Sequence, residues 1–227
     1  MTDLFTYIKE RIVLLNWAAL AFALVCFAHG SFGLNGRRLA ESVGVLLFLI
    51  LFRLYDDVAN SKIDQHKPNR SYTISTTAAC LKRYFYALYI GFILLISFQD
   101  GLQAILLISF LFLSEISYYF LFTFRKIRLL LPLLKYPFAV IAIGSYDAYA
   151  TLGLFLIFVL IEYRDEDIIS KITALPILIT AYALCYFIDG ISQVSIIFLI
   201  LSTAALLTMQ KQTRYLLLFL YITNTAF

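Results

Sequence analysis

Charged residues are scarce in this sequence, and their scarcity excludes a soluble globular domain. Only 14% of the 227 residues are charged, whereas 62% are hydrophobic. Apolar stretches of membrane length recur from one end of the chain to the other, which is typical of a polytopic membrane protein. Because the hydrocarbon core of a bilayer offers no partners to backbone N–H and C=O groups, the spans are expected to be helices.

Cysteine is scarce as well, which argues against two kinds of stabilising site. The three cysteines, Cys26, Cys80 and Cys185, are scattered within or beside apolar runs, and no pair has CxxC spacing. Neither a zinc site nor a disulfide framework is therefore predicted. We interpret all three as small hydrophobic residues of the packed interior.

The sequence shows no long linker, no low-complexity segment and no separate soluble stretch. The first apolar run, 12–32, is too long for the hydrophobic core of a signal peptide and lacks a convincing cleavage site. This run is therefore interpreted as a retained span. A single transmembrane domain is predicted over residues 1–227.

Apolar segments of helical length can be drawn throughout the chain. They cover residues 11–33, 39–57, 80–98, 103–124, 128–146, 148–163, 172–188, 191–209 and 213–227. The predicted fold is all-α, a polytopic bundle of about nine transmembrane helices around a central cavity. Some segments are barely long enough to cross a bilayer, so tilted helices and re-entrant ends remain alternatives.

The basic residues predict an orientation for this bundle. Of the 18 Lys and Arg residues, 14 fall before the first span or in loops that lie on the same side of the membrane. Only Arg37 and Arg38 fall on the other side, and Arg53 and Lys135 lie inside span ends. By the positive-inside rule, the amino terminus is cytoplasmic and the carboxyl terminus is outside, in a protein of the cell inner membrane.

An oxygen-rich cluster follows the second span on the predicted cytoplasmic side. Asp56, Asn60 and Asp64 recur at i, i+4 and i+8, with Asp57 beside them, so a continuing helix would place them on nearly one face. Hard oxygen donors without histidine or thiolate favour Mg²⁺. The functional interpretation is a magnesium-diphosphate site, and the plain alternative is a solvated helix end with a charged loop.

This cluster resembles the first aspartate-rich motif of the UbiA superfamily of intramembrane prenyltransferases, NDxxDxxxD followed by a proline and an arginine. The sequence reads Asp56-Asp57-x-x-Asn60-x-x-x-Asp64 and then Pro68-x-Arg70. An aspartate replaces the leading asparagine and an asparagine replaces the next aspartate, and both exchanges keep an oxygen ligand. Members of this family have nine transmembrane helices, with one motif after the second helix and another after the sixth, and both placements match here.

The second acidic cluster departs further from the family pattern. The family carries a DxxxD-type motif after the sixth helix, whereas this chain has Glu162-Tyr-Arg-Asp165-Glu166-Asp167. Glu162 and Glu166 have i, i+4 spacing, and Asp165 lies about one turn from Glu162. The resemblance implies that Glu162, Asp165 and Glu166 hold a second metal ion and that the two clusters converge. A solvated acidic loop is the alternative for Asp167.

The resemblance implies an Mg²⁺-dependent enzyme that transfers a prenyl group from a polyprenyl diphosphate to a lipophilic or aromatic acceptor. Asp56, Asp57, Asn60 and Asp64 would hold metal. The catalytic residues would be Asp56, Asp57, Asp64, Arg70 and Lys126. Arg70 and Lys126 would also bind the diphosphate, and the other expected substrate-binding residues are Arg53, Lys135 and Glu115. No nucleic-acid partner is expected.

Three of these residues have plainer alternatives. Arg53 has the spacing of a local ion pair with Asp57, and Lys135 could extend its ammonium to the membrane interface. Glu115, near the middle of the fourth apolar segment, would face the bundle interior as a structural hydrogen-bond partner or as a group that orients the acceptor. Aromatic residues near the cytoplasmic ends of spans three and four would face a prenyl carbocation or lipid: Tyr84, Phe85, Tyr86, Tyr89, Tyr118, Tyr119, Phe120 and Phe122.

Other functions remain open at this point. A membrane terpene cyclase would use the same metal site and differ only in the pocket. A small transporter is a second alternative, although the charged residues concentrate in loops rather than near the bilayer midplane and no internal repeat is visible. The CDP-alcohol phosphotransferases also use aspartate-rich metal motifs, but their glycine-spaced signature is absent from this sequence.

Overall fold

The computed structural model describes residues 2–62, 64, 73–97, 101–121, 124, 130–143, 147–165, 168–189, 193–208 and 214–226. Within these ranges the regular secondary structure is helical and there is no strand. The prediction of an all-α fold is therefore confirmed for the described part of the chain.

The helices follow one another in an order that matches the apolar segments. The described α-helices are α1 (Thr2–Arg11), α2 (Leu14–Ala28), α3 (Gly36–Ala59), α4 (Ser75–Ser97), α5 (Gly101–Leu121), α6 (Lys135–Ile143), α7 (Ala148–Asp165), α8 (Lys171–Asp189), α9 (Gln193–Thr208) and α10 (Arg214–Ala226). A 3₁₀-helical turn, Leu131–Leu134, leads directly into α6. Each of the nine predicted segments overlaps one of the helices α2 to α10, and α1 is additional.

Membrane-spanning length is shown for fewer helices than the sequence predicts. Among the described residues, Thr76–Ser97 and Gly101–Phe120 are long and apolar enough to cross a bilayer. The pair Leu4–Arg11 and Leu14–Ala28, bent by 73°, makes up to three if it counts as one broken span. The count of about nine transmembrane helices is therefore not confirmed.

The two long apolar helices carry exposed hydrophobic side chains of the kind that face lipid. On α4 these include Ile90 and Leu95, and on α5 they include Leu102, Ile105 and Phe112, all of them more than half exposed. Contiguous exposed apolar surface is unusual in a soluble monomer. The structure thus has membrane-like helical character.

Local capping explains where several helices begin. Asn35 precedes α3 and its side-chain Oδ1 accepts a hydrogen bond from the backbone N–H of Arg38, at 2.9 Å. Asp147 caps α7 in the same way through the N–H of Ala150, at 2.7 Å. These side chains satisfy backbone donors that have no partner within the first turn of a helix.

A glycine ends α2. Gly30 has a φ of +59°, a left-handed conformation that a residue without Cβ adopts at little cost. The N–H of Gly30 donates to the carbonyl of Phe27 at 3.0 Å, and the N–H of Ser31 donates to that of Cys26 at 3.2 Å. This pair of bonds is the Schellman motif, which closes the carboxyl end of a helix and turns the chain away.

The contacts divide the chain into two units, which are described separately. The first comprises Met1–Ala21 and Val43–Lys135, and in it α4 packs against α1 and α5. Its core is aromatic: the Phe52 ring lies 4.8 Å from that of Phe110 and 5.6 Å from that of Tyr89, between centroids. Such ring pairs add specific packing energy to the burial of apolar area.

The second unit comprises Phe22–Ser42 and Tyr136–Phe227. Here α7 packs against α8 and α10, and α9 packs against α8 and α10. Gly153 allows α7 to approach α8 and α10 closely. A Cβ at that position would lie 1.9 Å from the hydroxyl oxygen of Tyr221 and 2.6 Å from the carbonyl oxygen of Ala181. The Tyr221 hydroxyl donates to the carbonyl of Ala150 at 2.9 Å, so it ties α10 to α7.

Candidate functional site

Three oxygen-bearing side chains stand on one helical line where α3 ends. The backbone N–H of Asn60 donates to the carbonyl of Asp56 at 2.9 Å, and that of Asp64 donates to the carbonyl of Asn60 at 3.0 Å. These bonds continue the i to i−4 pattern of the helix beyond its last regular turn. The structure thus brings Asp56, Asn60 and Asp64 to the same side, as their spacing predicts.

The carboxylates of this region are buried. Asp56, Asp57 and Asp64 are 8%, 2% and 8% exposed. A solvated helix end with a charged loop, the plain alternative, is therefore wrong for these three residues. Because an ionised carboxylate loses its hydration on burial, each needs hydrogen-bond donors or cations from the protein or from a ligand.

Asp56 receives its donors from two directions. Its Oδ1 accepts a hydrogen bond from the Tyr118 hydroxyl at 2.5 Å and another from the Asn60 side-chain amide at 2.7 Å. Tyr118 belongs to α5, so this bond joins α5 to the end of α3. The Asn60 amide turns its nitrogen toward Asp56, which leaves its carbonyl oxygen as the atom that could bind a cation.

Asp57 is held by α1, which sequence reasoning did not connect with the site. The Arg11 guanidinium donates from Nε to Oδ2 at 2.8 Å and from Nη2 to Oδ1 at 2.9 Å, the two-point geometry that arginine and carboxylate favour. The Tyr7 hydroxyl donates to Oδ2 at 3.0 Å. Tyr7 and Arg11 have i, i+4 spacing on α1, which was the only sequence signal that they share a face.

Burial, followed by the negative charge of Asp57, raises the pKa of the Tyr7 hydroxyl well above its usual range. Tyr7 therefore stays neutral and keeps its proton for donation to the carboxylate. Three donor groups of α1 thus face Asp57, whose two oxygens are both engaged.

Arg53 forms the local ion pairs that its spacing allows. Its Nη2 lies 3.4 Å from Oδ1 of Asp57, and its Nη1 lies 3.7 Å from Oδ2 of Asp56. Of the two roles open for Arg53 from the sequence, the structure shows the ion pair. The guanidinium is 29% exposed, so it borders the surface beside both carboxylates.

Glu115 lies half-buried on α5, beside tyrosines from two other helices. The Tyr86 hydroxyl of α4 donates to Oε1 at 2.5 Å, and Tyr55 of α3 lies near the same carboxylate. Glu115 precedes Tyr118 by one turn on the same helix. Helix α5 therefore presents Glu115 to Tyr86 of α4 and Tyr118 to Asp56 of α3.

The aromatic side chains named from the sequence differ in burial; Tyr84 and Tyr86 are half-buried, and Phe122 lies outside the described residues. Phe85, Tyr89 and Tyr118 are buried. The Tyr55 ring centroid lies 5.0 Å from that of Phe85 and 5.4 Å from that of Tyr118, and Tyr89 stacks on Phe85 at 5.4 Å. Tyr119 and Phe120 are exposed, as expected of lipid-facing residues. Buried aromatic rings thus surround Tyr55, the residue that precedes Asp56.

Lys135 does not reach the surface. It is 2% exposed, and its ammonium lies 5.7 Å from the centre of the Trp17 ring. The expectation that it extends to the membrane interface is therefore wrong, because the ring of Trp17 offers the ammonium a buried electrostatic partner instead.

The remaining predicted site residues are described in part. Glu162 is half-buried on α7, in the second unit. The side chain of Asp165 and the residues Arg70, Lys126 and Glu166 lie outside the described residues. Their roles therefore stay predictions.

The described carboxylates fit a metal unequally. Asp56, Asn60 and Asp64 supply hard oxygens on one line, the donor set that Mg²⁺ prefers. Asp57 can bind a metal only if Arg11 releases it, because the Arg11 guanidinium already donates to both carboxylate oxygens. In the described part of the chain, no group of three or more His, Cys, Asp or Glu side chains is placed to hold a metal.

Comparison with protein families, with curated proteins and with solved structures found no match for this chain. The functional assignment therefore depends on the residues and their geometry.

Proposed function

We propose that this protein is a membrane-embedded, Mg²⁺-dependent prenyltransferase of the UbiA type. It would transfer a prenyl group from a polyprenyl diphosphate to a lipophilic or aromatic acceptor. The observation that carries the proposal is the line of Asp56, Asn60 and Asp64 at the end of α3, in which both carboxylates are buried. Burying two carboxylates on one line is costly without compensating positive charge, which favours a cation-binding role.

In this proposal Asp56, Asn60 and Asp64 hold the metal, and Asp57 joins them when Arg11 leaves its carboxylate. Bound Mg²⁺ would stabilise the charge that develops on the diphosphate leaving group. A second metal ion would be held by Glu162, Asp165 and Glu166, on the basis of the sequence motif alone. The surrounding burial excludes water from the carboxylates and so strengthens their electrostatic interactions.

Cationic side chains would bind the diphosphate. Arg53 is suited to this because it already lies beside Asp56 and Asp57 and is partly exposed. Arg70, Lys126 and Lys135 are further proposed contacts, the first two on sequence grounds. Guanidinium groups bind phosphate oxygens at two points, which fixes orientation as well as charge.

The membrane setting belongs to the same proposal. We infer about nine transmembrane helices around a central cavity, with the amino terminus cytoplasmic, the carboxyl terminus outside and the protein in the cell inner membrane. The exposed apolar faces of α4 and α5 support a lipid environment, and the arginine and lysine distribution supports the orientation.

A terpene cyclase is the second candidate, and the aromatic layer favours it. Phe85 and Tyr118 are buried near Tyr55, and Tyr89 is buried against Phe85; aromatic faces stabilise carbocations. A cyclase would release diphosphate without an added acceptor, whereas a transferase would require one for a prenylated product.

The proposal is tested with purified protein, Mg²⁺ and geranylgeranyl diphosphate, with and without an added aromatic acceptor. Wild-type protein is expected to release pyrophosphate, and Asp56→Asn and Asp64→Asn are expected to lower the rate at least about 100-fold. Asp147→Asn is the matched control, because Asp147 caps α7 and asparagine caps a helix equally well. Release by both site variants at the wild-type rate would refute the metal assignment.

A further inference from the structure

Glu115 stands out because it places a carboxylate on an otherwise apolar helix. It lies within the span-length segment Gly101–Phe120, where an ionisable side chain is costly unless it has a function or a partner. The Tyr86 hydroxyl donates to it at 2.5 Å, and Tyr55 lies near it. The bond from Tyr86 orients the carboxylate and explains how it is tolerated there.

Glu115 is also open to the lipid-facing side of α5. Phe112 precedes it by three residues and Tyr119 follows it by four, so all three share one helical line. Phe112 is 66% exposed and Tyr119 is 81% exposed, and Glu115 between them is half-buried. A molecule dissolved in the bilayer could therefore reach the carboxylate from the side.

The same face of α5 connects Glu115 with the proposed metal site. Tyr118, one turn further along, donates to Asp56. The ring of Tyr55, which lies near Glu115, is edge-on to the Tyr118 ring. Tyr55 is also adjacent to Asp56 in sequence. One layer of tyrosine side chains thus separates the Glu115 carboxylate from the proposed metal-diphosphate site at Asp56.

We propose that Glu115, oriented by Tyr86, binds the acceptor substrate, and that this acceptor carries a phenol or alcohol hydroxyl. This deepens the proposed function and rests on it. In the transfer step the acceptor O–H bond breaks and its proton passes to Glu115. The acceptor oxygen bonds to C1 of the prenyl chain, and the C1–O bond to the diphosphate breaks with its electron pair leaving on the diphosphate.

Binding tests the site without depending on turnover. The probe is radiolabelled 4-octylphenol, compared with 4-octylanisole, which has the same shape but no hydroxyl proton. Wild-type protein in micelles is expected to bind the phenol about tenfold or more tightly than the ether, after subtraction of binding to empty micelles. Glu115→Gln, which keeps the size and an acceptor oxygen, is expected to lose most of this preference.

Ser114→Ala is the matched control for binding. Ser114 is the neighbouring residue on α5, and its hydroxyl donates to the carbonyl of Phe110 in the same helix. It should retain the wild-type preference. Equal binding of phenol and ether by wild-type protein, or an unchanged preference in Glu115→Gln, would overturn the proposal.

Turnover separates this proposal from the proposed function. With geranylgeranyl diphosphate and 4-octylphenol, Glu115→Gln should slow formation of the prenyl ether at least about 100-fold, whereas Ser114→Ala should keep the wild-type rate. The absence of both pyrophosphate release and ether formation in wild-type protein would refute the prenyltransferase assignment. Wild-type ether formation by Glu115→Gln would refute only the role of Glu115.

Discussion

The guanidinium of Arg11 and the carboxylate of Asp57 form a two-point ion pair across 46 positions of sequence. The pair joins α1 to the end of α3, and it places the positive charge of Arg11 beside Asp57, one of the carboxylates proposed to bind metal. Arg11 therefore fixes the geometry of α1 and also competes with any cation for Asp57.

Removing Arg11 should destabilise the protein. Arg11→Ala leaves Asp57 buried without its main partner, and we expect a loss of about 2 kcal/mol in the free energy of unfolding; this is less than breaking a fully buried pair costs, because Arg53 remains nearby and Arg11 is itself partly exposed. Denaturant unfolding in detergent measures the change.

Arg37→Ala is the control for this prediction. The Arg37 side chain is 79% exposed and pairs with Glu41 at the surface, so its loss should change the same free energy by less than about 0.5 kcal/mol. If the two variants are equally stable, the Arg11–Asp57 pair contributes nothing. Asp57→Asn combined with Arg11→Ala should recover part of the loss, since it removes the unpaired charge.

Tyr118→Phe should destabilise the contact between α5 and α3. The substitution removes the hydroxyl that donates to Asp56 and leaves the ring in place, so a loss of about 1.5 kcal/mol is expected. Tyr119→Phe alters the next residue, which is exposed, and should have little effect. An equal stability of the two variants, measured by denaturant unfolding, would argue against the bond.

Arg38 should hold the connection between α2 and α3. Its Nη1 donates to the carbonyls of Ser31 and Gly33 at 3.1 and 3.2 Å, and its Nη2 donates to the Ser31 hydroxyl at 2.8 Å. Because an ammonium cannot reproduce this planar set of donors, even Arg38→Lys should accelerate amide hydrogen exchange in residues 29–35. Unchanged exchange rates in Arg38→Lys, with Arg37→Lys measured alongside, would contradict this role.

The predicted orientation can be tested by chemical labelling in sealed vesicles. In a background without Cys26, Cys80 and Cys185, Lys62→Cys should react with a membrane-impermeant maleimide from the cytoplasmic side only. Asn35→Cys, in the connection between α2 and α3, should react from the other side only. Labelling of both cysteines from one side would disprove a span between them and with it the proposed topology.

Much of the secondary structure followed from local patterns. The apolar periods predicted the positions of α2 to α10, and helical spacing predicted that Asp56, Asn60 and Asp64 share a side. The separate helix α1 was not predicted, because its ten residues mix polar and apolar side chains. The apolar segments predicted about nine spans, but only two described helices, or three with the bent pair, have spanning length. Several other described helices are shorter than a bilayer requires.

The partners of the candidate residues could not be read from the sequence. Asp57 pairs with Arg11 on α1, Asp56 with Tyr118 on α5, and Glu115 with Tyr86 on α4. Each bond crosses between helices that are distant along the chain, and any of the many tyrosines could have supplied the hydroxyl. Whether Lys135 reached the surface depended in the same way on where Trp17 lay.

The sequence by itself therefore determined an apolar, all-helical chain and an oxygen-rich line at the end of α3, because helix formation and facing depend on spacing over a few residues. Only the tertiary structure decided that Asp56 and Asp57 are buried and which side chains neutralise them. The reason is that packing between helices selects partners by shape and by the hydrogen-bonding needs of buried charge, and neither is encoded in local periodicity.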